Sequence, residues 1–136
     1  MIVLLVIGVA LSAQSGGVEI EVVDIVAEWG GSVIVTLFEQ NGFPKAGQAI
    51  ISQNVPVRDI KATVTFESIP LGEYAIAVYQ DVNGNGQLNR TIYGQPTEPY
   101  AFSNNVFGRF GPPKFTAAAF SVEGNGTVKL VIQLKE

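Results

Sequence analysis

Alternation of apolar and polar residues is the dominant pattern in this sequence. It runs through residues 18–22, 62–67, 73–79, 118–122 and 128–134. A period of two indicates strands with one buried face and one wet face. Two further segments predict strands of other kinds. Residues 33–38 are apolar on both faces except at Thr36, which predicts a central strand. Residues 48–57 contain Pro56, which favours an edge or irregular strand.

These segments predict an all-β fold. No stretch keeps a helical period over ten residues, and turn sequences separate six or seven strand segments. This spacing favours a single-domain antiparallel β-sandwich, with a small β-barrel as the alternative. Residues 123–126 form a turn sequence, EGNG, which predicts that the last two strand segments pair as a hairpin.

One long segment, residues 81–116, interrupts this pattern. It contains turn residues and six of the aromatic side chains, which are Tyr93, Tyr100, Phe102, Phe107, Phe110 and Phe115. Long connections are usually functional or disordered, and disordered segments are depleted in aromatic residues. We therefore expect an ordered loop that carries a site. Ala75 and Ala77 in the preceding strand leave one strand face low, so that another group would pack closely against it.

Composition narrows the possible functions. The chain has 136 residues, enough for one domain with a core, and a net charge of -4 with its eight Lys and Arg residues scattered singly. Nucleic acid is therefore an unfavourable partner. The chain contains no Cys and no His, which excludes disulfides, Ser-His-Asp triads and ordinary zinc sites. We predict no enzymatic activity, with a carboxylate-dependent hydrolase that uses Asp81 and Glu98 as the alternative.

Residues 1–13 are expected to direct export. Residues 2–11 form an apolar run that is too short for a membrane helix and ends at the small residues Ser12 and Ala13. Cleavage after Ala13 would leave a domain over residues 18–136 that is secreted or periplasmic. No Lys or Arg precedes the run, so the alternatives are a buried first strand and an uncleaved segment that anchors the protein in the envelope.

The start of the long loop matches part of a calcium-binding pattern. Asp81, Asn83, Asn85, Gly86 and Asn89 occupy positions 1, 3, 5, 6 and 9 of that pattern. Gln87 would offer its backbone carbonyl at position 7, but Ile92 replaces the bidentate Glu at position 12. Calcium binding would therefore be weak, with a dissociation constant of about 10⁻⁴ to 10⁻³ M. The alternative is a turn whose Asn and Asp side chains bind their own backbone.

A second candidate site lies further along the same loop. We assign possible ligand contacts to Arg109, Phe107, Phe110, Tyr100, Asn104 and Asn105. The Arg109 guanidinium would bind a carboxylate or sulfate, and the phenylalanines would stack on an apolar or sugar ring. The ligand would be a small molecule, a glycan or an envelope protein. In the alternative, these aromatic side chains pin the loop to the sheet and Arg109 pairs locally.

Four sequence segments carry a resemblance to known families. IPLGEYAIAV, at residues 69–78, resembles a strand of prealbumin-like and collagen-adhesin B-type sandwiches. Together with YQDVNGNGQL, YAFSNN and GRFGPPKF, it resembles the small exported bacterial proteins of the domain of unknown function 2141. This resemblance implies an exported β-sandwich of unassigned activity, most consistent with a binding or structural module of the envelope. Members usually carry Asp where this chain has Asn89, which implies weaker cation binding here.

Overall fold

The computed structural model describes residues 14–86, 98–124 and 126–136, which form eight strands and three short helices. The strands are β1 Ser15–Val23, β2 Ser32–Phe38, β3 Ile51–Pro56, β4 Ala62–Pro70, β5 Gly72–Asp81, β6 Tyr100–Phe102, β7 Phe120–Val122 and β8 Thr127–Gln133. The helices are the 3-10 turns Ala27–Trp29 and Ser103–Asn105 and the α-helix α1, Phe115–Ala118. The predicted all-β class is confirmed. The predicted export segment, residues 1–13, lies outside the described residues.

The strands form two sheets. The first has the order β4-β1-β8, and the second has the order β3-β2-β5-β6, with β7 also paired to β5. Most neighbours are antiparallel, as predicted, but β1 and β8 run parallel from Gly17 opposite Thr127 to Val23 opposite Gln133. The edge position of β3 and the central position of β2 agree with the sequence pattern. Among the described residues, no helix is long and apolar enough to cross a membrane.

The predicted hairpin between the last two strands is wrong. β7 pairs with β5 in the second sheet, whereas β8 pairs with β1 in the first. Val122 and Ile132 are both buried, at 2% and 0% exposure, so each strand does have one core face. Alternation reports that a face is buried but carries no information about which strand lies alongside. The short connection therefore crosses between the sheets.

The main core lies between the inner faces of the two sheets. It is built by β-branched and aromatic side chains, which suit a pleated surface. Its largest fully buried members are Phe66, Ile20, Leu37, Ile76 and Ile132. Full burial of one such side chain contributes about 1.5–3 kcal/mol, so this layer dominates the stability of the fold.

A second hydrophobic cluster covers part of the outer face of the second sheet. Phe43 lies at its centre, with ring centroids 5.7 Å from Phe38, 5.8 Å from Phe102 and 5.9 Å from Phe115, all in edge-on arrangements. Phe43 belongs to the connection between β2 and β3, and Phe115 begins α1. The β2–β3 connection and α1 therefore cover one part of the outer face together.

The described part of the long loop is ordered by specific hydrogen bonds. β6 and β7 pair with successive parts of β5, and residues 103–119 lie between them. The Ile76 N–H donates to Ser103 Oγ at 2.9 Å, and the Ser103 hydroxyl donates to the Ala118 carbonyl at 2.5 Å. Ser103 thus supplies the bonds that the interrupted strand would have made. The eighth strand, β6, was not predicted, because three residues are too few to show a period.

Candidate functional site

Cross-strand pairing arranges the outer face of the second sheet in rows. Thr36 lies opposite both Ser52 and Ala77, and Ala77 lies opposite Phe102. The adjacent row follows the same strands and consists of Asn54, Ile34, Tyr79 and Tyr100. Residues two apart on a strand share a face, so all of these side chains project on the side away from the main core.

A cavity of about 650 Å³ lies over these two rows. Thr36 of β2 and Ala77 of β5 form a low floor between larger side chains. The small alanines of β5 predicted such a low strand face. The remaining walls are supplied mainly by the β2–β3 connection and the long loop. Besides the two rows, the lining includes Phe38, Pro44, Ala46, Gly47, Ala49, Gly86, Val78, Ala101 and Pro112. Its volume falls within the range of about 300–1,000 Å³ that is typical of ligand sites.

The described lining contains no charged side chain. Its polar groups come from Ser52, Asn54, Thr36 and the tyrosines. The Thr36 hydroxyl donates to the Ala77 carbonyl at 2.8 Å, which leaves its oxygen able to accept from a ligand. The Tyr79 hydroxyl donates to the Gly86 carbonyl at 2.7 Å and so holds the Asn-Gly loop, residues 81–86, at one end of the cavity.

Two buried carboxylates lie just beyond the tyrosine row. Asp81 is 3% exposed and Glu98 is 6% exposed. The Gly86 N–H donates to Asp81 Oδ2 at 2.7 Å, and the Val82 N–H donates to Glu98 Oε2 at 2.7 Å. Burial, followed by the charges of Asp81 and then Glu98, raises the pKa of Tyr79 above its ordinary value of 10.0. This end of the site is therefore negatively charged, and backbone hydrogen bonds hold both carboxylates in place.

The structure brings together only part of the predicted calcium-loop set. Gly84 and Gly86 have positive φ angles of 72° and 74°, which glycine adopts readily. Asn83 Oδ1 accepts the Asn85 N–H at 3.2 Å, so the Asn turn named as the alternative is present. Gln87 and Asn89 lie outside the described residues. Within the described part of the chain, no three His, Cys, Asp or Glu side chains are grouped to hold a metal ion.

The six predicted ligand residues occupy different surroundings. Tyr100 lines the cavity. Phe107 packs against Tyr100 with centroids 5.5 Å apart, and Lys135 Nζ lies 4.9 Å from the Phe107 ring. Arg109 lies over the ring of Phe110, 5.8 Å from its centroid, and Phe110 is 97% exposed. These side chains therefore do not converge on one site.

Asn104 and Asn105 bind the backbone of the protein itself. Both have positive φ angles, 62° and 53°, and asparagine tolerates this conformation better than most residues. Asn104 Nδ2 donates to the carbonyls of Ala117 and Ala119 at 3.0 and 2.9 Å. Asn105 accepts the Gln133 N–H at 2.9 Å and donates to the Val131 carbonyl at 3.0 Å, which joins the loop to β8.

Sequence reasoning missed most of the cavity wall. Thr36 interrupts an otherwise apolar strand, and Ala77 is small, so both residues could be noticed from the sequence alone. Nothing in the sequence pointed to Ser52 and Asn54, because their place in the cavity wall depends on the register of β3 against β2. Tyr79 belongs to a strand in the sequence pattern, and only its position opposite Tyr100 makes it part of the candidate site.

Fold and site together define an all-β, two-sheet protein with a cavity on the outer face of one sheet, and the described lining of this cavity is uncharged. The chain belongs to the bacterial family described as "Uncharacterized protein conserved in bacteria (DUF2141)", whose family model matches residues 20–129. The matched stretch contains every cavity residue named above, and the resemblance noted from the sequence is confirmed. Comparisons with curated proteins and with solved structures found no match. The prealbumin-like resemblance stays a prediction.

Proposed function

We propose that this protein is an exported binding module of the bacterial envelope that holds a neutral sugar chain in the outer-face cavity. The observation that carries the proposal is the 650 Å³ cavity itself, with its low floor, aromatic walls and uncharged described lining. A site of this kind favours an uncharged ligand, because a charged one would lose its hydration without gaining an opposite charge.

The polar and aromatic lining groups support a sugar as the ligand. A sugar ring has an apolar face of C–H groups and a rim of hydroxyls. Tyr79 and Tyr100 supply flat aromatic surface at one side of the cavity, and Ser52, Asn54 and Thr36 supply hydrogen-bonding groups at the other. Asp81 and Glu98, just beyond the tyrosines, disfavour anionic ligands at this end.

The geometry favours binding over hydrolysis. Asp81 and Glu98 do lie at the same end of the sheet, as the hydrolase alternative requires. However, each carboxylate accepts a backbone N–H, both residues are more than nine-tenths buried, and neither lines the cavity. Incubation of the protein with neutral oligosaccharides, followed by mass spectrometry of the products, is expected to show no cleavage. Cleavage that Asp81→Asn and Glu98→Gln abolish would establish the hydrolase instead.

Export is supported by the sequence of residues 1–13. The apolar run and the small residues that follow it fit a secretory signal. Expression in a bacterium is expected to yield a periplasmic or secreted protein whose mass corresponds to a chain beginning at Gln14. Recovery of the full-length chain from the cytoplasm would contradict export, and recovery of the full-length chain with membranes would favour the uncleaved anchor.

A cavity-filling variant tests the proposed ligand site. Titration with neutral oligosaccharides, followed by calorimetry, is expected to show saturable binding by the wild-type chain. Ala77→Leu would fill the floor of the cavity and should weaken binding at least tenfold. Ala117→Leu, at an exposed position of α1, is the matched control and should bind normally. Equal binding by both variants, or no binding of any neutral oligosaccharide by the wild type, would contradict the proposal.

A further inference from the structure

Two hydroxyl groups of the cavity lining already use their hydrogen atoms within the protein. The Thr36 hydroxyl donates to the Ala77 carbonyl at 2.8 Å, and the Tyr79 hydroxyl donates to the Gly86 carbonyl at 2.7 Å. A carbonyl oxygen can only accept, and a hydroxyl group has one hydrogen. The direction of both bonds is therefore fixed by chemistry. Toward a ligand, each of these hydroxyl oxygens can only accept.

The Tyr79 hydroxyl keeps its hydrogen at neutral pH. Burial, followed by the charges of Asp81 and then Glu98, raises the pKa of Tyr79 above its ordinary value of 10.0. A ligand that took this hydrogen for itself would have to break the bond to Gly86. One hydrogen bond would replace another, so the ligand would gain little affinity from it.

The two acceptor oxygens lie at different places in the same cavity. Thr36 is on β2 opposite Ala77, at the low floor. Tyr79 is two residues beyond Ala77 on β5, and its hydroxyl reaches Gly86 at the end of the cavity that the Asn-Gly loop forms. A ligand that fills the cavity therefore meets one acceptor at the floor and a second at the loop end.

The other polar side chains of the lining are less selective. Ser52 and Tyr100 each carry a hydroxyl, and Asn54 carries an amide. Groups of these kinds can both donate and accept. A ligand can therefore satisfy them with a donor or with an acceptor. The restriction on ligand chemistry comes from Thr36 and Tyr79.

We propose that Thr36 and Tyr79 determine specificity by selecting ligands that donate hydrogen bonds at two points. This inference rests on the proposed function and refines it, because a neutral sugar bound here must present free hydroxyls to both oxygens. A ligand whose oxygens are all ethers, esters or ketones has only acceptors, and would place oxygen against oxygen at both points. Sugars that are methylated at these two hydroxyls are disfavoured for the same reason.

Calorimetric titration with fluorinated sugars tests this selection. A panel of neutral oligosaccharides of glucose, galactose and mannose first identifies one that the wild-type chain binds. In analogues of that sugar, fluorine replaces a single hydroxyl, which keeps nearly the same size but removes the donor. Replacement of either hydroxyl that donates to Thr36 or Tyr79 should weaken binding about three- to tenfold.

Variants assign each sensitive hydroxyl to its acceptor. Thr36→Val removes the oxygen at the floor and should give one analogue the same affinity as the parent sugar. Tyr79→Phe should do this for a second analogue. A variant that only loosened the cavity would weaken parent and analogue alike and would keep the difference between them. The matched controls are Thr65→Val, at an exposed position of the other sheet, and Tyr74→Phe, on the inner face of β5; both should keep the two differences.

The possible outcomes separate this inference from the proposed function. If the wild type binds no member of the panel, both are overturned. If the wild type binds, but Thr36→Val and Tyr79→Phe still discriminate against every analogue as the wild type does, only the selection by these two residues is overturned. Loss of discrimination in just one variant overturns the claim that the selection acts at two points.

Discussion

The two faces of strand β5 have different tasks. The inner face carries Tyr74, Ile76, Val78 and Gln80, which are all at most 3% exposed. The outer face carries Ala75, Ala77, Tyr79 and Asp81. The inner side chains are large and fill the space between the sheets, whereas the outer ones leave room for the second hydrophobic cluster and the cavity. One strand therefore contributes to the main core on one side and to the cavity floor on the other.

The buried polar groups make the same contrast sharper. Gln80 on the inner face binds the Val26 N–H and the carbonyls of Val26 and Gly30, at 2.8–3.0 Å. Asp81 on the outer face is equally buried but leaves Oδ1 without a partner. A satisfied buried polar group stabilises the fold, whereas a buried polar atom without a hydrogen bond costs stability.

The largest effect should come from emptying the inner face. Ile76→Ala deletes a fully buried side chain between the sheets and should lower the free energy of unfolding by about 2–5 kcal/mol, because it leaves a cavity in close-packed surroundings. Urea denaturation measures this. Asn54→Ala, at an exposed position of the outer face, should change the value by less than about 0.5 kcal/mol. If both variants lowered the free energy of unfolding by similar amounts, the inner face would not be the main source of stability.

A smaller but still large effect should follow removal of the inner-face amide. Gln80→Leu keeps most of the side-chain volume but leaves the Val26 N–H and two carbonyls without their bonds, at a cost of about 1–3 kcal/mol. The Val26 amide should also exchange with solvent much faster, as hydrogen-exchange NMR would show. Gln53→Leu is the control, because Gln53 makes a single, exposed bond to the Thr65 carbonyl. Equal unfolding free energies for Gln80→Leu and the wild type would refute this role.

The fold was predictable wherever burial alone decides the pattern. Glu19 and Glu21 alternate with the buried Val18, Ile20 and Val22, so β1 could be identified from its sequence. The partner of a strand was not predictable in this way. Residues 128–134 show the same alternation whether they pair with β7 or with β1, and only the packed structure reveals the parallel pairing with β1.

The carboxylates beside the cavity were predictable from the sequence, but the cavity walls were not. Asp81 and Glu98 stood out as carboxylates near the long loop, yet their common place beyond the tyrosine row depends on the register that begins at Tyr100. The cavity combines residues from four strands and three connections. No single segment contains such a site, so periodicity along the chain cannot indicate it. Arg109 and Phe110 drew attention through their chemistry, but they lie on the exposed loop surface.

The smallest effect concerns the inner-face tyrosine and appears only at high pH. The Tyr74 hydroxyl donates to the Pro70 carbonyl at 2.6 Å, and burial, followed by the charge of Glu39, raises the pKa of Tyr74 above its ordinary value of 10.0. Because the folded protein holds this proton more tightly than the unfolded chain, the resulting stability is present below pH 10 and is lost as the pH rises through the folded pKa. Tyr74→Phe should therefore be less stable than the wild type at pH 8, by about 0.5–1.5 kcal/mol for the lost bond. This difference should shrink at pH 11, where the other titrating groups act on both proteins alike. A difference in urea denaturation that stays constant between the two pH values would show that ionisation of Tyr74 is not coupled to folding.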